Sequence, residues 1–152
     1  MSNELHWEEV ETSTYQDHVI KHVLGATVLG WVVIEDAMHV LLDVGLLWTI
    51  YVNAEMSLMA QGVAIEDLES DELNHEQMLQ LTSDAQRLIS EGREAAGLAL
   101  FVSAPVECTI TAVDVFAAEA QRRIMIVGES AEIEIETSLD QSSFAIKASE
   151  AR

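Results

Sequence analysis

The chain has very little positive charge. Seven Lys and Arg stand against 27 Asp and Glu, and the formal net charge is -20 over 152 residues. A surface with this excess repels phosphate backbones and anionic lipids, and it attracts cations and basic proteins. We therefore expect no nucleic acid and no membrane among its partners, and we predict a basic protein partner.

Cysteine is nearly absent as well. The single cysteine, Cys108, excludes an internal disulfide framework and a multi-cysteine metal site, and we interpret it as small apolar filler. The start of the chain is acidic where a signal peptide is basic and then apolar. The most apolar region, residues 23–52, is interrupted by charged side chains. We expect a cytoplasmic protein without a membrane span, and no cofactor is predicted.

Apolar residues make up 49% of the chain, which is enough for one domain with a sizeable core. Residues 13–25 predict a helix, because Ser13 and Gln16 form a capping pattern and Gly25 can end it. The next segment is rich in β-branched and aromatic residues. It predicts an antiparallel meander with strands at about 27–34, 37–42 and 46–56. One buried helix over residues 31–59 is the alternative, since apolar runs alone do not separate the two.

The second half predicts another helix followed by a second meander. Apolar residues recur at helical spacing up to Gly92, Ser70 can cap this helix, and Ser83 with Gln86 allows a break near residue 82. Three further strands are predicted at 108–116, 122–127 and 132–138. Residues 1–12 are interpreted as an acidic N-terminal arm and residues 139–152 as a flexible tail.

These elements predict a single α+β domain over residues 1–152, with the order α-βββ-α-βββ and helices packed on antiparallel meanders. The order and the charge resemble those of small acidic secretion chaperones and bacterial immunity proteins, an analogy of architecture without a shared motif. Both faces of the first meander are apolar. A second sheet or a second copy must cover the face that helices leave open, so a homodimer is predicted.

The stretch EDLESDELNHE, residues 66–76, contains six carboxylates and no basic side chain. It fails as an EF-hand loop, because Glu72 stands where the sixth position needs glycine and Met78 where the twelfth needs glutamate. Two interpretations remain, the solvated start of a helix and a docking surface for a basic partner. The candidate partner-binding residues are Glu66, Asp67, Glu69, Asp71, Glu72 and Glu76.

Two groups of histidines and acids are candidate chemical sites. His18 and His22 are four residues apart on the first predicted helix, a spacing that lets two imidazoles chelate one metal ion. Exposed histidine pairs are more often incidental. Glu35, Asp36 and His39 fall near a predicted hairpin, where an acid–base pair is conceivable and a turn with a partly buried histidine is commoner.

The aromatic and methionine side chains of the first meander have two interpretations. They pack the sheet, or they line an apolar pocket or interface. The candidates for the pocket or interface are Trp31, Met38, His39, Trp48 and Tyr51.

The resulting hypothesis is a non-enzymatic, homodimeric binding module that engages a basic or amphipathic protein through its acidic surface. The first alternative is a small-molecule or metal-binding protein or enzyme that uses an apolar pocket with histidine and carboxylate groups. The second is a structural or salt-adapted subunit whose charge serves solubility.

Overall fold

The computed structural model describes residues 6–68 and 73–150. Its α-helices are α1 (Thr14–Val23), α2 (Gln61–Glu66) and α3 (His75–Glu91). In chain order its strands are β1 (Glu8–Glu9), β2 (Val28–Ile34), β3 (Ala37–Leu42), β4 (Leu46–Tyr51), β5 (Met56–Ala60), β6 (Val102–Ser103), β7 (Ile110–Ala118), β8 (Gln121–Gly128), β9 (Ala131–Ser138) and β10 (Ser143–Glu150).

The strands form two five-stranded antiparallel sheets. Sheet I has the order β5-β4-β3-β2-β6, and sheet II has the order β1-β7-β8-β9-β10. The predicted α+β class with β-meanders is confirmed. In the described part of the chain, no helix has the length and the apolar content needed to cross a bilayer.

The first helix and the first meander lie where the sequence predicts them. Ser13 caps α1 through a capping box with Gln16, whose side-chain amide also donates to the carbonyl of Ala54 at 2.7 Å. The meander consists of strands, so the alternative of a buried helix over residues 31–59 is wrong. Its third strand ends at Tyr51, and a turn with Ala54 at φ +71° leads into β5, which the sequence analysis did not separate.

Sheet I is the middle layer of three. One of its faces, with Met38 and Trp48, packs on the inner face of sheet II, where Ile124 and Ile133 are fully buried. Its other face, with Leu41, packs under α2 and α3. One chain therefore covers both apolar faces. The reason that the sequence offered for a dimer no longer applies, and any dimer must have another cause.

The helix α3 differs from its prediction at both suggested boundaries. It is capped by Asn74, whose side chain accepts a hydrogen bond from the Gln77 amide at 2.8 Å, so it begins after the predicted start. Ser70 lies outside the described residues. The helix also runs unbroken through residue 82, because Leu81 and Ala85 continue the apolar stripe that packs on sheet I.

The segment predicted as a flexible tail, residues 139–152, contains a strand. Ser143–Glu150 forms β10, which pairs with β9 along its whole length. The reason is an alternation that the sequence contains: Phe144, Ile146 and Ala148 face the core, and the residues between them face outward. Residues 6–12 of the N-terminal arm also contact sheet II, since β1 pairs with β7 and the centroid of the Trp7 ring lies 4.2 Å from the Arg123 guanidinium carbon.

A close approach between β2 and β6 requires a glycine. A Cβ atom at Gly30 would lie 2.4 Å from the carbonyl oxygen of Val102 and 3.2 Å from Cδ1 of Leu88. No side chain fits at the first distance, so Gly30 permits the edge strand β6 to pair with β2 beneath α3.

Candidate functional site

His39 is a buried polar residue on the helix-facing side of sheet I. It pairs across the sheet with Thr49, and its Nδ1 lies 2.9 Å from the Thr49 hydroxyl oxygen. Burial lowers the pKa of His39 from 6.5 to about 4, so the imidazole is neutral at pH 7. Among the described residues the ring has no second hydrogen-bond partner.

His39 lines a small cavity, called here the acidic cavity, at the end of the β2–β3 hairpin. Its volume is about 170 Å³. Three carboxylates and the ring of Tyr51, which is 38% exposed, share this cavity, and its described lining contains no lysine or arginine. The residues that define it are Ile34, Glu35, Asp36, Ala37, His39, Tyr51, Asp67 and Leu68.

The acidic cavity joins two groups that the sequence analysis treated separately. Glu35 and Asp36 form the turn between β2 and β3, and Asp67 comes from the acidic stretch as the C-cap of α2. Asp67 reaches this position because Ile65 of α2 is buried against sheet I. A tertiary contact therefore places a carboxylate of the predicted docking surface beside the predicted acid–histidine pair.

The other acids of the stretch are divided between solvent and the undescribed part of the chain. Glu66 ends α2 and Glu76 stands in the first turn of α3, and both are exposed. Glu69, Asp71 and Glu72 lie outside the described residues. Negative charge at Glu76 favours the N-terminal end of α3, which is one ordinary reason for its presence.

His18 and His22 lie side by side on the exposed face of α1. Their ring centroids are 4.5 Å apart, and Nδ1–H of His22 donates to the His18 carbonyl at 2.8 Å. The nearby Asp17 carboxylate accepts a hydrogen bond from Thr12. Across residues 6–68 and 73–150, no three His, Cys, Asp or Glu side chains converge on a point that would hold a metal ion.

Most of the pocket or interface candidates are core residues. Trp31, Met38 and Trp48 are buried between the two sheets, and only Tyr51 and His39 reach the acidic cavity. The Trp48 indole N–H finds no hydrogen-bond partner among the residues that the structure describes, and an unpaired buried donor is uncommon in a packed core. Cys108 is buried too, and burial together with the nearby Glu132 raises its thiol pKa, so the thiol is poorly nucleophilic.

Asp84 is a buried carboxylate that the sequence analysis missed. Its oxygens accept backbone N–H bonds from Ala99, Leu100 and Phe101 at 3.0, 2.6 and 2.9 Å, and this fixes the loop after α3 to the helix. The sequence does indicate that Asp84 is buried, because this acid lies within the apolar stripe of α3, three residues after Leu81 and four before Leu88. The role of Asp84 is structural, because all three bonds hold backbone.

A second, larger cavity of about 380 Å³ lies between the N-terminal arm and β7. Glu9, Glu11 and Asp114 line it, so it is acidic as well, but it contains neither a histidine nor an aromatic ring. It is an open groove beside an edge strand and offers no buried polar group for orienting a ligand.

No protein-family model, no curated protein and no solved structure matches this chain.

Proposed function

We propose that this chain is a non-enzymatic, homodimeric binding module that engages a basic or amphipathic protein partner. The observation that supports this function is the acidic cavity, where three carboxylates and an exposed tyrosine surround a space of about 170 Å³ on a chain with a net charge of -20. An arginine or lysine side chain of the partner is the anchor that this chemistry fits.

The three carboxylates of the cavity are exposed, so each contributes a modest electrostatic gain and their effect depends on acting together. A cation 4 Å from one carboxylate gains about 1 kcal/mol in bulk water and about 4 kcal/mol at an effective dielectric constant of 20. Tyr51 adds an aromatic face that attracts a guanidinium or ammonium group. Ile34 and Leu68 supply apolar wall for the methylene stem of the same side chain.

Two properties of the cavity favour binding over catalysis. Its volume lies below the roughly 300–1,000 Å³ of typical small-molecule sites, and it matches one side chain better than a substrate. A histidine whose pKa is about 4 is a weak general base at neutral pH, where an effective base has a pKa near the working pH.

The test uses a synthetic amphipathic peptide of leucine and arginine, labelled for fluorescence anisotropy. The double variant Asp36→Asn/Asp67→Asn removes two charges from the cavity. We expect it to weaken binding by at least about tenfold, or about 1.4 kcal/mol, and to reduce the dependence of affinity on salt.

The matched control is Glu119→Gln/Glu129→Gln, which changes the net charge equally, from -20 to -18, at two exposed positions in hairpin loops. We expect it to change the affinity by less than about threefold, since remote exposed charges are largely screened. Equal losses in the two double variants would show general attraction to an acidic surface and would contradict an anchor at the cavity.

A small cationic ligand in the same cavity is the second candidate, and it is favoured because the His39 ring has no second hydrogen-bond partner within residues 6–68 and 73–150. It predicts that a primary amine or a guanidinium compound protects the protein against unfolding and that His39→Gln removes this protection. Failure to bind any basic probe, with stability that rises steeply in molar salt, would instead support a structural or salt-adapted subunit.

A further inference from the structure

The strand β10 is the long open edge of sheet II. Among the four sheet edges, β1 and β6 are two residues long and α1 packs beside β5, whereas β10 has eight residues. Its pairing with β9 is regular throughout, and the strand contains neither proline nor glycine. Within the described part of the chain, no backbone hydrogen bond reaches its outer edge.

An unpaired edge of this length is a template for another strand. Native edges are commonly protected by proline, bulges, lysines or inward-pointing charges. The strand β10 has one lysine, Lys147, on its outer face, and a single charge within its core-facing row, Glu150 at its end. Phe144 and Ile146 in the same row are only partly buried, so a second strand beside them would remove further apolar surface from water.

A second copy of β10 fits this edge in one register. Antiparallel partners share a face of the sheet, so a two-fold axis has to pass through a residue pair that keeps core-facing side chains together. Only axes through Ile146 or Lys147 pair seven residues of Ser143–Glu150. The axis at Lys147 sets two lysines opposite each other and Phe144 opposite Glu150, whereas the axis at Ile146 avoids both conflicts.

The charges on the outer face agree with the axis at Ile146. Ala145 then lies opposite Lys147 of the second copy and Phe144 opposite its Ala148. Across β8, β9 and β10, Arg123, Glu136 and Ala145 occupy one row, and Lys147 is itself paired with Glu134. Across the two-fold axis this row would continue from the neutral Ala145 to Lys147 and then Glu134 of the second copy. Its charged members, arginine, glutamate, lysine and glutamate, would therefore alternate in sign.

We propose that two copies of this chain pair through β10, antiparallel and with Ile146 on the two-fold axis, to form one continuous ten-stranded sheet. The proposal rests on the homodimer of the proposed function and is independent of its basic partner. A single strand pair is a small interface, so the dimer is weak, with a Kd on the order of 10 µM. Because the two copies repel each other, the dimer tightens between about 0.1 M and about 1 M salt, as the Debye length falls from about 10 Å to about 3 Å.

The experiment measures the dimer Kd of the full chain by sedimentation equilibrium for Ala145→Lys and Ala145→Glu. Ala145 is exposed, so neither substitution disturbs the core. In the proposed register each variant places two new charges opposite the two Lys147 side chains. We expect Ala145→Lys to weaken the dimer by about fivefold and Ala145→Glu to tighten it by about fivefold.

Net charge alone predicts the opposite order, since Ala145→Lys reduces the repulsion between copies and Ala145→Glu increases it. Ser143→Lys and Ser143→Glu are the matched controls. Ser143 is exposed on the same face and would lie opposite a neutral Ser149, so these variants follow net charge only. A wild-type chain that stays monomeric up to about 1 mM overturns both the homodimer and this interface. A dimer in which the Ala145 variants follow net charge overturns the interface alone, and neither result bears on the binding of the basic peptide.

Discussion

Removal of the Asp84 carboxylate is the sharpest test of how the structure holds together. The carboxylate accepts three backbone N–H bonds, and a hydrogen bond to a charged group contributes about 1.5–3 kcal/mol. In Asp84→Ala all three donors lose their partner. The Ala99 N–H belongs to an exposed residue and regains water, whereas the Phe101 N–H belongs to a buried one. We therefore expect Asp84→Ala to lower the free energy of unfolding by about 3–4 kcal/mol. This lies within the range for a broken buried charge network.

The assay is urea unfolding followed by tryptophan fluorescence at pH 7, with the slope of free energy against urea checked for two-state behaviour. Asp84→Asn retains one side-chain oxygen that can accept the N–H bonds of Leu100 and Phe101. Its free energy of unfolding should therefore fall less than that of Asp84→Ala. Ser83→Ala is the matched control on the exposed side of the same turn, and we expect a change within about 0.5 kcal/mol. If Asp84→Ala were no more destabilising than Ser83→Ala, the carboxylate would not hold the loop, and this reasoning would be refuted.

Three further predictions concern stability, and urea unfolding measures each of them. Burial lowers the His39 pKa from 6.5 to about 4, so the unfolded chain binds a proton at a higher pH than the folded chain does. The free energy of unfolding is therefore highest above pH 6.5, and it falls by about 3 kcal/mol as the pH drops from 6.5 towards 4. His39→Gln should lack this part of the acid sensitivity, and an unchanged pH profile would contradict the assignment. Gly30→Ala should cost about 1–3 kcal/mol because its Cβ meets a backbone carbonyl, whereas Gly62→Ala, with open space around its Cβ in α2, should be neutral or stabilising. Glu119 has φ +54° in an exposed loop, so Glu119→Gly should stabilise by about 0.5–1 kcal/mol, and the same change at Glu129, where φ is not positive, should not.

The local elements were predictable because their signals are local. The capping pattern of Ser13 and Gln16, the β-branched run before the Glu35–Asp36 turn, and the alternation in β9 each act within a few residues. The strand β10 has the same alternation, yet its composition predicts a tail. Its polar and small residues are those of an edge strand, which resemble the residues of a disordered end.

The acidic cavity was not predictable from the sequence, although the sequence predicts most of its polar residues as candidates. Asp67 lies 31 positions from Asp36, and their proximity depends on how α2 docks on sheet I. The same holds for His39, whose neutrality comes from its burial and not from its neighbours in the chain.

By itself, then, the sequence determined the charge of -20, the elements with strong periodicity and the α+β class, because composition and periodicity are properties of short segments. Only the tertiary structure decided which face of sheet I packs on sheet II and which packs under the helices. It also decided which strand is an open edge and which carboxylates surround one cavity. Those outcomes depend on packing between segments far apart in the chain, and no local pattern encodes the distance between them.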